Sequence, residues 1–218
     1  MEKLITFDFE GTLVGFQWKL EQAQGEVLNL LVGKGISREI FVSTNYDAIY
    51  NLVQEKGEKW GFPAGYLTSL IDEIYDIYDL DAATRWQPVD KIHEVLKSLK
   101  GYRTALISNV GRKGLSKALV QHGLQDEFGL TITRNDMTRL KPADEGILKA
   151  INWAGVKKEN TIHIGDSLSD LFAARNAGVK VGIVLGGQNT PEVLLREKPD
   201  LILYNLAELP SVLRAVNF

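Results

Sequence analysis

The 218-residue chain contains no cysteine. Disulfides, thiolate catalysis and zinc–cysteine centres are therefore excluded. It also lacks any run of about 18 consecutive apolar residues, the length that crosses a bilayer. No uninterrupted apolar leader precedes Asp8, because Glu2 and Lys3 place charge at the start. Basic residues are not in excess, since 25 Lys and Arg face 28 Asp and Glu for a formal net charge of −3. That balance argues against a broad nucleic-acid footprint. Internal repeats and low-complexity tracts are missing too. The expectation is a cytoplasmic protein with neither a nucleic acid nor a membrane as partner. What remains is an ordinary globular composition, 44% hydrophobic and 24% charged. The length suits one large domain or a core that carries a small insertion.

Short β-branched or aromatic runs recur at Leu4–Phe7, Tyr102–Ile107, Leu130–Thr133, Thr161–Ile164, Val179–Val184 and Leu201–Tyr204. Most are followed by a helical pattern. One helix is expected to open at Pro88 and close at Gly101, another to open at Pro142 and close near Gly155. Such alternation predicts a doubly wound α/β fold, a Rossmann-like parallel sheet covered on both faces. Right-handed crossovers then bring every strand's C-terminal end to one edge, where such sheets bind ligands.

Residues 16–87 break the alternation. Tyr46, Ile49, Tyr50, Val53 and Trp60 recur at helical spacing, as do Leu67, Leu70, Ile71, Ile74, Tyr75 and Tyr78. The run through Val27, Leu28, Leu30 and Leu31 is also helical. Three or four helices are expected here, inserted between the first two strands of a core made of residues 1–15 and 88–218. The aromatic stripes read as bundle core rather than as a cofactor cage.

Chemistry-bearing groups gather at four predicted strand ends. The first strand runs into Asp8, with Glu10 two residues on and Gly11 free to turn the chain; a solvated turn is the plain alternative. Ser108 and Asn109 end the second strand beside a helix start, where unpaired N–H groups hold anions, or where the two residues simply cap. Lys141 precedes Pro142, a poor place for a cation at a helix start unless an anion or carboxylate cluster neutralises it. Finally Gly165 delivers Asp166-Ser167-Leu168-Ser169-Asp170, in which Asp170 can also close a capping box with Ser167.

Taken together, four carboxylates (Asp8, Glu10, Asp166, Asp170) converge on one edge with a single lysine. Two carboxylates about 4 Å apart repel by roughly 4 kcal/mol at an effective dielectric near 20. They must protonate, separate or share a cation. A hard divalent ion fits, and magnesium also accepts phosphate oxygens. A carboxylate nucleophile, a metal, a lysine and a serine donor together describe phosphoryl transfer.

The ordered set Asp8-x-Glu10-Gly11-Thr12, Ser108-Asn109, Lys141-Pro142 and Gly165-Asp166-Ser167-x-x-Asp170 resembles the four motifs of the haloacid dehalogenase-like hydrolase superfamily. The helical insertion resembles that family's small cap. The resemblance implies that Asp8 is a nucleophile that becomes an aspartyl phosphate, with Glu10 as general acid/base. Ser108, the Asn109 backbone and Lys141 would then hold the phosphoryl oxygens. Magnesium would be ligated by Asp8, the Glu10 carbonyl and Asp166, with Asp170 ligating or steadying its waters. Most phosphatases of the superfamily have aspartate at position 10, so Glu10 departs by one methylene.

The expected function is magnesium-dependent hydrolysis of a small phosphorylated metabolite. A phosphomutase or other phosphotransferase on the same core remains open, as does a catalytically degenerate binding protein, for which Glu10 is the discriminating residue. Dehalogenase activity is disfavoured because position 10 is not apolar or aromatic. The three histidines make no metal pattern, and His163 is expected to pack or lie at the surface. Arg112 and Lys113 are expected at a solvated helix start.

Overall fold

The computed structural model describes residues 2–43 and 45–218. Positions 1 and 44, which fall in the expected core and insertion, lie outside the described residues. Six strands form one parallel sheet: β1 (Leu4–Phe7), β2 (Arg103–Ile107), β3 (Leu130–Ile132), β4 (Thr161–Gly165), β5 (Lys180–Val184) and β6 (Leu201–Leu203). Their order is β3-β2-β1-β4-β5-β6. Leu4, Ile5, Phe7, Ile162 and Ile164 are fully buried. Central strands covered on both faces must be apolar throughout, which is why these runs stand out from the chain. β1 pairs with β2 on one side and β4 on the other, Phe7 lying opposite both Leu106 and Ile164. The strand order reverses between β1 and β4, and that switch point opens a crevice at the carboxyl edge.

Helices α6 (Glu145–Ala154) and α7 (Leu168–Ala177) pack together on one face, and α4 (Ile92–Ser98) packs with α9 (Leu209–Ala215). The helices expected to open at Pro88 and Pro142 begin later, for a physical reason in each case. Val14 bridges Pro88, and Val89 N–H donates to the Leu13 carbonyl at 2.9 Å, so residues 88–89 are held as extended chain. Ahead of α6, the Glu145 carboxylate accepts from the Thr138 and Arg139 backbone N–H groups, which holds that segment as a loop. Lys141 therefore sits in a loop, four residues before the helix.

Between β1 and β2 lie α1 (Leu20–Gly33), α2 (Tyr46–Lys56) and α3 (Tyr66–Ala82), which pack against one another. Val27, Leu31, Ile49, Val53, Ile71 and Tyr75 are buried among them. The chain leaves and returns at one point, where Gly15 N–H donates to the Gln87 carbonyl at 3.0 Å. No helix among the described residues is long and apolar enough to cross a membrane.

One buried ionic cluster ties these helices to the sheet. Asp72, Asp76 and Asp79 recur at i, i+4 and i+7 and so share one face of α3. All three meet Arg134, which follows β3 and is 1% exposed, at 2.6, 2.7 and 2.7 Å. Its guanidinium also lies 5.4 Å from the Tyr75 ring centroid. Arg134→Met leaves the three carboxylates without their shared guanidinium, Asp79 in a place closed to water. Breaking a buried pair from one side costs about 3 kcal/mol or more, and partial exposure of Asp72 and Asp76 favours the lower figure. Urea unfolding followed by tryptophan fluorescence should register that loss; a midpoint equal to the parent's would show that the cluster contributes nothing.

Candidate active site

Asp8 continues β1, its N–H donating to the Ile164 carbonyl at 2.8 Å, and so reaches the switch-point crevice at a fixed height. Asp166 arrives from β4 on the facing side. Two glycines let these segments approach. Gly11 has φ +89°, and a Cβ there would lie 2.2 Å from an Asp166 carboxylate oxygen. A Cβ on Gly165 would lie 2.3 Å from the Asp170 carboxyl carbon. Any larger residue at either position would displace the carboxylates.

Asp8, Asp166 and Asp170 present oxygens that all lie within 4.8 Å of one another, and all three residues are buried. Lys141 Nζ donates to Asp8 Oδ1 at 2.5 Å, to Asp170 Oδ1 at 2.6 Å and to the Ile107 carbonyl at 3.1 Å. Burial works against the ammonium, but Asp170 and Asp8 hold its pKa above the ordinary lysine range. Burial likewise pushes Asp170 upward, yet Lys141 and His163 outweigh it and keep that carboxyl well below its usual value. The other two acids are less well served. Burial raises Asp8 to about 6 despite Lys141. Burial, reinforced by the charges of Asp170 and Asp8, raises Asp166 well above the carboxylate range. One ammonium thus leaves two of three carboxylates under-compensated, and an all-oxygen set short of positive charge suits a hard divalent cation.

The capping box of α7 is present as the spacing suggests: Ser167 Oγ accepts from Asp170 N–H, and Asp170 Oδ2 accepts from Ser167 N–H at 3.1 Å. Asp170 therefore divides its oxygens, one fixing the helix start and one on Lys141.

Ser108 and Asn109 are buried at the end of β2. Ser108 Oγ accepts from Val110 N–H at 3.2 Å. The Asn109 side chain clamps the lysine loop, accepting from Lys141 N–H and donating to the Lys141 carbonyl, both at 3.1 Å. It also donates to the Tyr46 hydroxyl at 3.0 Å. From α2, Asn51 adds a second clamp, accepting from Leu140 N–H at 2.7 Å and donating to the Leu140 carbonyl at 2.9 Å.

Glu10 lines the same cavity but stands apart from the three-aspartate cluster. Its Oε1 accepts from Gln17 N–H at 2.6 Å, Trp18 N–H at 2.7 Å and Trp86 Nε1–H at 2.8 Å. These donors belong to the outgoing and returning ends of the helical insertion. Burial pushes the Glu10 carboxyl up to about 7, against the pull of those three donors. An acid raised toward neutrality in this cavity can both give and take a proton.

Several contacts carried no signal in the motifs. His163 is fully buried beneath the cluster, its Nε2 3.1 Å from Asp170 Oδ1 and its Nδ1 2.9 Å from Thr6 Oγ1. It packs as expected, and it also steadies a site residue. Ser169 donates to Asp47 of α2, a further tie between the insertion and the crevice. Arg112 pairs with Asp136 and Lys113 with Asp76, both largely exposed and outside the cavity.

The family pattern of haloacid dehalogenase-like hydrolases matches residues 5–184. A pyrophosphatase PpaX from Halalkalibacterium halodurans is 33% identical over 126 residues, which cover 53% of this chain and 59% of that protein. The chain thus spans about three fifths of the length of that curated relative. A Bacillus cereus PpaX is 23% identical over 219 residues, covering 98% of this chain and 97% of the relative. Among solved structures, a predicted phosphoglycolate phosphatase from Haemophilus somnus superposes with a TM-score of 0.67 at 20% identity, over 97% of each chain. The L-2-haloacid dehalogenase of Xanthobacter autotrophicus gives 0.61 at 19% identity, over 98% of this chain and 99% of that one. At those identities the structures establish the shared fold. With the family pattern running from β1 through β5, across every strand end that carries a site residue, the chain belongs to the haloacid dehalogenase-like hydrolases.

Proposed function

We propose that this protein is a magnesium-dependent phosphatase that hydrolyses a small phosphomonoester through an aspartyl phosphate on Asp8. One observation carries the reading: a buried carboxylate at the switch point, held by Lys141 on one side and facing a second, under-compensated carboxylate on the other. The names of the PpaX relatives and of the phosphoglycolate phosphatase support attack on phosphorus rather than on carbon. Residues 1–15 and 88–218 form the catalytic core in this reading, and residues 16–87 the cap.

In the first step a carboxylate oxygen of Asp8 attacks phosphorus and the bond to the leaving oxygen breaks. Glu10, protonated, gives that oxygen its proton. Ser108, the Asn109 backbone and Lys141 hold the phosphoryl oxygens, Lys141 by its ammonium charge. In the second step Glu10, now a carboxylate, takes a proton from water. That water attacks the phosphorus, the Asp8–phosphate bond breaks, and inorganic phosphate and free Asp8 are restored. Asp8, Asp166, the Glu10 carbonyl and Asp170 would hold magnesium, which supplies charge neutralisation for the carboxylates and the phosphoryl group.

Chelation should therefore abolish phosphate release from para-nitrophenyl phosphate, and added magnesium should restore it. Activity that survives exhaustive dialysis against a chelator would rule out the metal-dependent reading.

A further inference from the structure

The cavity has two chemically different halves. Ser108, Asn109 and Lys141 make one. The other is a wall of Phe16, Trp18 and the Tyr46 ring, whose hydroxyl reaches back to Asn109, and Asp79 also lines the cavity. This wall adjoins Glu10, because Trp18 N–H donates to the Glu10 carboxylate and the Tyr46 and Trp18 rings lie 5.0 Å apart. A leaving group protonated by Glu10 must rest against it.

Positive charge is missing from that half. Among the described residues lining the cavity, Lys141 is the only cation, and it is held by Asp8 and Asp170. Arg134 does not line the cavity and its donors are committed: Nε to Asp72, Nη2 to Asp76, and Nη1 to Asp79 and the Asn109 carbonyl. Lys113 is drawn to Asp76. Three carboxylates against these two cations leave the ground behind the wall net negative. A second anionic group on the substrate would enter a partly dry site that offers no unengaged cation to answer it, since Arg134 is committed to Asp79 and Lys141 to Asp8 and Asp170.

Resting on the phosphatase reading, we infer that the aromatic half of the cavity selects phosphomonoesters whose leaving group is uncharged or cationic with apolar surface. It rejects diphosphates and phosphorylated carboxylic acids. Selection of this kind works by repelling the wrong partner as much as by binding the right one.

The test is kcat/KM for phosphate release from four substrates with magnesium present: propyl phosphate, 2-aminoethyl phosphate, the size-matched phosphoglycolate, and pyrophosphate. The first two should exceed the last two by about tenfold or more, although pyrophosphate has the easier leaving group. Equal or faster hydrolysis of phosphoglycolate or pyrophosphate would overturn this inference and leave the phosphatase reading intact. No release from any of the four, or from para-nitrophenyl phosphate, would overturn both. In folded Phe16→Lys the ratio of phosphoglycolate to 2-aminoethyl phosphate should rise about tenfold. An unchanged ratio there would remove the wall as the source of discrimination.

Discussion

Asp8→Asn should abolish turnover while leaving the fold intact. The substitution keeps the size of the side chain and an oxygen that accepts from Lys141, but removes the charge that attacks phosphorus. Loss of a nucleophile costs about 10⁴-fold or more in kcat where the covalent route carries the reaction. Stability should move the other way. Burial has raised the Asp8 carboxyl to about 6, above its value in the unfolded chain. A raised carboxyl pKa opposes folding once the group ionises, so at pH 8 the native aspartate is a cost and its amide is not. The measurements are phosphate release with magnesium present and thermal unfolding at pH 8 with the metal removed by a chelator. Near-parental activity in a folded Asp8→Asn protein would exclude covalent catalysis at this residue. A parent protein that releases no phosphate would instead revive the reading of a binding protein on a catalytic fold, because the cluster could still hold a cation without doing chemistry.

That reading would have to explain why so much of the chain works to place Asp8. The strands were legible from composition because a sheet covered on both faces needs mostly apolar runs, and Leu4–Phe7 and Thr161–Gly165, buried throughout, are such runs. The acids were legible because each interrupts the chain where a run stops. What supports them was not. Glu10 meets the Trp86 indole 76 residues away, and Asn51 clamps Leu140 across 89 residues. Contacts of that range obey no period, so neither helical nor strand spacing can reveal them. The three aspartates of α3 are an intermediate case. Their i, i+4, i+7 spacing puts them on one face of α3, but nothing in the sequence sets that face apart from a solvated charged stripe until a buried Arg134 is found against it. The late starts of α4 and α6 have the same origin, since Pro88 is bridged by Val14 and the loop before α6 is clamped at Leu140 by Asn51 and at Lys141 by Asn109.

Glu10 is where the insertion and the chemistry meet, and Glu10→Gln separates its two roles. The glutamine oxygen can still accept from Gln17 N–H, Trp18 N–H and Trp86 Nε1–H, so the junction between core and insertion should hold. What disappears is the proton. Without it, hydrolysis of alkyl phosphates should fall by about 10²–10⁴-fold, the usual range for general acid–base catalysis. An aryl phosphate should lose less in its first step, because a phenolate leaves unaided. Water attack then lacks its base, so phosphate should accumulate on Asp8, where rapid-quench mass spectrometry can find it. The pH profile gives an independent sign. In the proposed mechanism the acid form of Glu10, whose carboxyl is raised to about 7, protonates the leaving oxygen. For the parent, kcat/KM on alkyl phosphates should therefore fall as pH rises through about 7, and the variant should lose that limb. Glu10→Ala, by contrast, removes the acceptor as well and leaves three donors at the junction unpaired, so it should weaken stability in addition. Equal losses on alkyl and aryl substrates in Glu10→Gln, with no trapped phosphoenzyme and an unchanged pH limb, would reduce Glu10 to a strut between the two ends of the insertion.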